Sequence, residues 1–336
     1  MMEACFLDQR RKDQRTRIFD GSSCCFYIRK QLKFFISLKC IRDQLKHINL
    51  AAPLATPLLY KLKYKAMKKT VLITGASSGF GKVAAKLFHT NNWNVIATMR
   101  SPEKETELSK LSNVFISKLD VTDKLSIQNS VAAGIEKFGK IDVLVNNAGY
   151  GALGALEAAT EEQVKQQFDV NLFGLIAVTK AVLPGMRQQK SGTIINVSSV
   201  GGRLTFPFSS LYHATKFAVE GLTESMQYEL NPLGISLKIV EPGGYKTEFA
   251  GRSLTLFDAD GLNDYKPAFD KFITMIEQWP MSENIGEVAD AIYEAATDGT
   301  EKLRYPVGHD AVQLIETRQH MNDVDFKKMM TAQTGI

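Results

Sequence analysis

Tyr212 and Lys216 stand four residues apart in Tyr212-His213-Ala214-Thr215-Lys216, at the head of an apolar helical run through Phe217, Leu222 and Met226. Residues at i and i+4 share one helix face, so the lysine ammonium can sit beside the phenol. A free tyrosine has a pKa of about 10 and a nearby cation favours its phenolate, which makes Tyr212 a usable acid/base near neutral pH. Taken alone, such a pair is commonly surface decoration. Thirteen residues upstream, Ser199 closes Asn196-Val197-Ser198-Ser199 at the end of a β-branched run. There it can donate a hydrogen bond to a substrate oxygen.

A second constellation points to a dinucleotide. In Thr74-Gly75-Ala76-Ser77-Ser78-Gly79-Phe80-Gly81, glycines at 75, 79 and 81 follow an apolar run and open a helical pattern. They let the backbone turn tightly against a pyrophosphate, whose charge the helix N-terminus meets. The spacing is G-x-x-x-G-x-G, and its place after the first strand is what gives it weight. At the end of the second strand, an acid would accept hydrogen bonds from the adenosine ribose and repel a 2′-phosphate. Met99 and Arg100 occupy that place. Arg100 offers a forked cation to a 2′-phosphate, so NADP(H) is expected over NAD(H), which stays possible.

The elements that must position these residues alternate along the chain. Val71 to Thr74, Asn94 to Met99, Val114 to Leu119, Val143 to Asn146, Thr193 to Val197 and Ser236 to Val240 read as strands apolar on both faces. Helix-length segments separate them. In one, Ile127, Val131, Ile135 and Phe138 form a single stripe. Repeated βα units with right-handed crossovers predict an α/β fold: one doubly wound, Rossmann-type parallel sheet with helices on both faces. A helix near Glu283 to Thr297 and a strand at Leu303 to Val307 would extend it. The stretch from Phe249 to Phe272 breaks the rhythm with aromatic residues among Gly and Asp. It is expected to be a substrate lid at the carboxyl edge of the sheet.

Composition limits the alternatives. With 44% hydrophobic and 23% charged residues among 336, the chain can bury a substantial core. The net charge of +5 divides unevenly: residues 1–66 hold 14 Lys/Arg against 5 Asp/Glu, and residues 67–336 hold 27 against 31. A mildly acidic main domain lacks the clustered cationic face that nucleic acid requires. Residues 1–66 form a basic extension, expected to be unstructured or a start codon placed too early, and contain no stretch long enough for a membrane span. Their four cysteines, Cys5, Cys24, Cys25 and Cys40, have neither metal-ligand spacing nor a disulfide framework. A cysteine-free main domain over residues 67–336 is expected in the cytoplasm.

These motifs, in this order, resemble the short-chain dehydrogenase/reductase family in its common single-domain form, from Lys68 to about Gly308. The resemblance rests on TGASSGFG at 74–81, Asp120-Val121, NNAG at 146–149, Asn171, Ser199, Tyr212 with Lys216, and Pro242-Gly243 followed by Thr247. A weaker likeness points to the branch holding 17β-hydroxysteroid and retinol dehydrogenases. What the resemblance implies is hydride transfer between a nicotinamide and a carbonyl or alcohol carbon. Tyr212 would act as acid, Ser199 would hold the oxygen, and Lys216 would bind the nicotinamide ribose and lower the Tyr212 pKa. Asn171 would order a proton-relay water. Cofactor contacts would come from Gly75, Ser77, Ser78, Gly79, Phe80, Gly81, Arg100, Asp120, Val121, Asn147, Ala148, Gly149, Tyr212, Lys216, Pro242, Gly243 and Thr247.

The family also implies a homodimer or homotetramer, joined through the helices of Asn171 and Tyr212. Tyr150, Leu204, Phe206, Phe208 and Tyr245 are expected to line an apolar substrate pocket. His213 is expected on the helix surface, and Trp93 and Trp279 in packing. Extended relatives with Tyr-x-x-x-Lys differ in their glycine turn and carry a larger substrate domain. The alternative from another class is a non-catalytic NADP(H)-sensing module. Such sensors typically lose the tyrosine or lysine, and both are present here.

Overall fold

The structure, a computed structural model, describes residues 68–247, 253–257 and 261–336. The basic extension at 1–66 lies outside the described residues, as do 248–252 and 258–260 of the expected lid. Seven strands form the main sheet: β1 (Thr70–Ile73), β2 (Asn94–Met99), β3 (Val114–Lys118), β4 (Val143–Asn146), β6 (Gly192–Val197), β7 (Ile235–Pro242) and β9 (Arg304–Val307). Their spatial order is β3-β2-β1-β4-β6-β7-β9, every pair parallel. The order reverses between β1 and β4. That switch point opens a crevice at the carboxyl edge, where the sequence places the glycine turn and the NNAG segment.

Strict alternation of side chains divides the β-branched strands between two cores. Val71, Ile73, Val95 and Ala97 face α1 (Gly79–Thr90) and α7 (Gly286–Thr297), meeting Phe88, Val288 and Ile292. Leu72, Ile96 and Leu144 face α2 (Lys124–Phe138) and α4 (Leu175–Gln189), meeting Ile127, Val131, Val178 and Val182. Each such fully buried aliphatic side chain stabilises the fold by about 1.5–3 kcal/mol. On α2 the expected stripe holds at Ile127, Val131 and Phe138, while Ile135 turns to solvent.

A continuous helical stretch runs from α3 (Glu161–Phe168) through a π-helical turn (Asp169–Gly174) into α4. Among the described residues this stretch alone is long and apolar enough to cross a membrane. In this fold it is a core helix, with Val178, Val182 and Met186 buried against the sheet. α5 (Ser210–Leu230) carries the Tyr-x-x-x-Lys pair.

Two further features had no counterpart in the sequence patterns. A two-stranded parallel ribbon joins β5 (Gly151–Leu153) to β8 (Leu254–Leu256), so the expected lid segment is partly a strand. After α6 (Lys266–Gln278), α7 and β9, the chain closes with α8 (His309–His320) and α9 (Asp323–Thr334). Leu314, Ile315, Phe326 and Met330 from these two helices pack over Val200 and Leu204.

Candidate active site

Thr74 knits the crevice together. Its hydroxyl accepts the backbone N–H groups of Asn147 and Ala148, each at 3.0 Å. The Asn147 amide donates to the carbonyls of Thr74 at 2.9 Å and Gly75 at 3.2 Å. Gly75 (φ +67°) and Gly79 (φ +52°) adopt the left-handed conformation that only glycine takes without strain. A Cβ on Gly81 would lie 2.5 Å from both the Gly75 carbonyl oxygen and Asn147 Nδ2. The third glycine therefore permits helix–turn contact.

The first turn of α1 holds no acidic residue, and no side chain of its N-cap Ser78 caps it. This donor-rich, positive helix end fits the pyrophosphate of a dinucleotide. Phe80 packs edge-on against Tyr245, and the Thr247 side chain stands 3.8 Å from where a Gly79 Cβ would project. Pro242 ends β7; Gly243 leaves no room for a Cβ beside Asp310, and the Asp310 carboxylate accepts the Gly244 N–H at 2.7 Å. Asp120 accepts both the N–H and the hydroxyl of Thr122, while Val121 packs on Gly174 of the π turn. Arg100 is exposed beyond β2 and makes no ion pair among the described residues. Met99 is a buried core residue.

Beside this cleft, β6 delivers Ser199 and α5 delivers Tyr212 and Lys216. Ser199 caps a short 3-10 turn (Val200–Gly202), accepting the Gly201 N–H at 3.0 Å. Burial pushes the Tyr212 phenol up to about 12, and a hydrogen bond with Ser199 pulls the other way. The Lys216 ammonium donates to the Val197 carbonyl at 2.9 Å and lies 5.7 Å from the Tyr212 ring centroid. Burial pulls Lys216 down to about 8, and the nearby Glu220 carboxylate opposes that. Burial holds Tyr212 as a neutral phenol with a proton to give.

Asn171 sits in the π turn. Its side-chain oxygen accepts the Tyr150 N–H at 3.0 Å, and its amide donates to the Tyr150 carbonyl at 2.9 Å and the Thr215 hydroxyl at 3.2 Å. A Cβ on Gly149 would fall 3.2 Å from Asn171 Oδ1 and 3.9 Å from Lys216 Nζ. Asn171, Gly149 and Lys216 are therefore immediate neighbours.

Three expectations need correction. His213 is buried rather than on the surface. Its Nδ1 donates to the Gly201 carbonyl at 2.7 Å, while Nε2 accepts the Phe206 N–H at 2.9 Å. This assignment requires the neutral imidazole, and burial lowers its pKa. Leu204 belongs to the core beneath α8 and α9. Tyr245 is buried with its hydroxyl donating to Glu287 at 2.8 Å. Phe206 and Phe208 remain only part-buried. Phe208 holds a left-handed backbone (φ +52°), with its ring against Phe269 and Phe272 of α6. Thr74 and His213 are the positioning residues that sequence reasoning missed, although Thr74 opens the TGASSGFG motif and His213 lies inside the Tyr-x-x-x-Lys span.

The sequence profile described as short chain dehydrogenase matches residues 69–255. An uncharacterized oxidoreductase of Schizosaccharomyces pombe is 40% identical over 243 residues, covering 71% of this chain and all of the relative. Human retinol dehydrogenase 8 is 39% identical over 198 residues, 56% of this chain and 63% of that protein. The crystal structure of a short-chain dehydrogenase from Streptomyces avermitilis superposes with a TM-score of 0.71 at 32% identity, covering 80% of this chain and 98% of that one. ElxO with NADP bound gives a TM-score of 0.61 at 31% identity, covering 74% of this chain and all of that one.

The chain belongs to the short-chain dehydrogenase family. It is an oxidoreductase of that family, with a retinol dehydrogenase among its relatives.

Proposed function

We propose that the protein interconverts an apolar ketone or aldehyde and the corresponding alcohol, with NADP(H) as the preferred cofactor. The observation that carries this reading is the hydrogen-bonded Ser199–Tyr212 pair beside the buried Lys216 ammonium, at the mouth of a glycine turn. The turn at 75–81, Asn147 to Gly149, Asp120 and Thr247 would hold the dinucleotide. The bound nicotinamide supplies or takes up the hydride at the reacting carbon.

In the reducing direction, Ser199 donates a hydrogen bond to the carbonyl oxygen, and Tyr212 passes its phenolic proton to that oxygen as charge develops. Lys216, fixed by Val197, places a cation beside the resulting phenolate and the ribose. In oxidation the same atoms run in reverse: the alcohol proton returns to Tyr212. Asn171, tied to Tyr150 and next to Lys216, keeps the relay side of the site in register.

Arg100 supports the 2′-phosphate preference because it is exposed at the end of β2 with no competing carboxylate among the described residues. The half-buried aromatic rings of Tyr150, Phe206 and Phe208 support an apolar substrate. Homo-oligomerisation through the π turn, α4 and α5 is part of the same reading, supported by the exposed Phe173 and Phe217. The test is a panel of aliphatic, aromatic and polycyclic carbonyls and alcohols with each nicotinamide cofactor, followed by nicotinamide absorbance. NADPH binding with no turnover on any member would replace the enzyme reading with a cofactor sensor.

A further inference from the structure

Behind the Ser199 turn lies a charged cluster that the proposed chemistry does not use. Glu220 is on α5, one helical turn after Lys216, and Glu241 is on β7; both carboxylates are buried. Arg304 of β9 binds Glu220 Oε2 at 3.0 Å and Glu224 Oε2 at 2.5 Å, and lies 3.5 Å from Glu241 Oε1. Arg203, at the end of the Ser199 turn, binds Glu241 Oε1 at 3.0 Å. The second oxygens, Glu220 Oε1 and Glu241 Oε2, and the Ser198 hydroxyl are all buried without a hydrogen-bond partner among the described residues.

The turn is seated directly on this cluster. A Cβ on Gly202 would lie 2.6 Å from Ser198 Oγ and 3.2 Å from Glu220 Oε1, so the backbone after Ser199 touches the carboxylate. Two buried carboxylates this close do not both ionise easily. Burial and the neighbouring Glu220 carboxylate push Glu241 up to about 7, while Arg304 binds Glu220 directly.

We propose that Glu220 is a positioning residue for the reaction, whose buried carboxylate keeps Lys216 charged from one helical turn away and seats the Ser199 turn through Gly202. The inference rests on the reading of Tyr212 and Lys216 as the reacting pair. The charged groups around Glu220 are Lys216 and Glu224 on its own helix, Arg203 on the Ser199 turn, Glu241 on β7 and Arg304 on β9. Without the Glu220 charge, a desolvated ammonium loses the carboxylate one turn along its own helix, and its proton is released at lower pH.

The experiment follows the Lys216 side chain by NMR of the full chain labelled with 13C-lysine, its signal assigned by loss in Lys216→Arg, alongside pH profiles of kcat/KM. Glu220→Gln is expected to lower the Lys216 pKa by about one unit, tenfold in proton affinity, and to move the basic limb of kcat/KM by the same amount. Glu220→Asp keeps the charge one methylene further away and is expected to fall between. Glu224→Gln, at the exposed end of the cluster, is expected to move neither. An unshifted Lys216 signal and an unshifted limb in Glu220→Gln, even with a lower Tm, would overturn the proposal. If the Gln variant does not fold, Glu220→Ala takes its place, and an unshifted Lys216 signal there overturns the proposal. Full turnover in Tyr212→Phe would sink the reading of the reacting pair, while the NMR result would still report on Glu220 and Lys216.

Discussion

Lys216 donates its ammonium to the carbonyl of Val197, the last residue of β6, so the cation is anchored to the strand that leads to Ser199. That anchorage buries it and gives its charge a pH signature. Lys216 titrates near 8 in the folded chain against 10.5 normally. Between those values the unfolded chain binds more protons, so stability rises with pH; below 8 the full cost of the buried charge is present. Tyr212 acts oppositely: raised from 10 to about 12, it makes the folded chain bind more protons there, and stability falls with pH across that window. Thermal unfolding across pH for the parent and Lys216→Met checks the sign: the rise above pH 8 is expected to vanish in the variant.

Tyr212→Phe removes the phenolic proton proposed to meet the substrate oxygen and leaves the ring in place. Turnover is expected to fall by about 10²-fold or more, with the dissociation constant for NADPH changing little. Single-turnover kinetics and cofactor fluorescence titration separate the two effects. A near-normal rate would mean that the proton comes from elsewhere.

Arg100→Ala is expected to raise the apparent KM for NADPH by about 10- to 150-fold, matching the roughly 1.5–3 kcal/mol of a charge-assisted contact to phosphate. The KM for NADH should barely change. The glycine turn offers Ser78 where a second cation could stand, so the unmutated preference is expected to be moderate. Equal or better kcat/KM with NADH in the parent enzyme would remove Arg100 from the site. The buried Met99 makes the neighbouring position a poor place to introduce an acid.

Gly81→Ala drives a methyl group toward the Gly75 carbonyl and the Asn147 amide, both 2.5 Å from the new atom. Backbone on one side and a doubly bonded amide on the other leave little room to yield. The expected loss is about 1–3 kcal/mol of stability, together with weaker cofactor binding. Scanning calorimetry would show it as a lower Tm, by about 2–4 °C per kcal/mol. An unchanged Tm would show that the turn relaxes at low cost.

The strands were legible because parallel strands buried on both faces read as short, largely apolar runs rather than alternating ones, and Asn94–Met99 and Val143–Asn146 match to the residue. The site was legible wherever a residue type has one chemical use, as with Tyr212, Lys216 and the glycine triplet. What escaped detection depends on contacts between distant segments. His213 looks like any polar residue beside Tyr212 until the loop from Gly201 to Phe206 wraps around its ring. Leu204 and Tyr245 have the composition of pocket residues, yet α8, α9 and Glu287 cover them. The ribbon of β5 and β8 is three residues a side, too short for any alternation to register.

The π turn at Asp169–Gly174 has a consequence for how this helix tolerates change. In an ordinary α-helix each residue advances by about 100°, so one residue more or less rotates everything beyond it by that angle. Here the wide turn lets Asn171 reach the Tyr150 backbone while Val178 and Val182 still face the sheet. The two ends of the helix are set to different phases, and residues 169–174 hold the offset between them. A point substitution there alters a side chain. A single deletion would turn Asn171 and the core-facing stripe out of step with each other, so this stretch should accept replacements far more readily than changes of length.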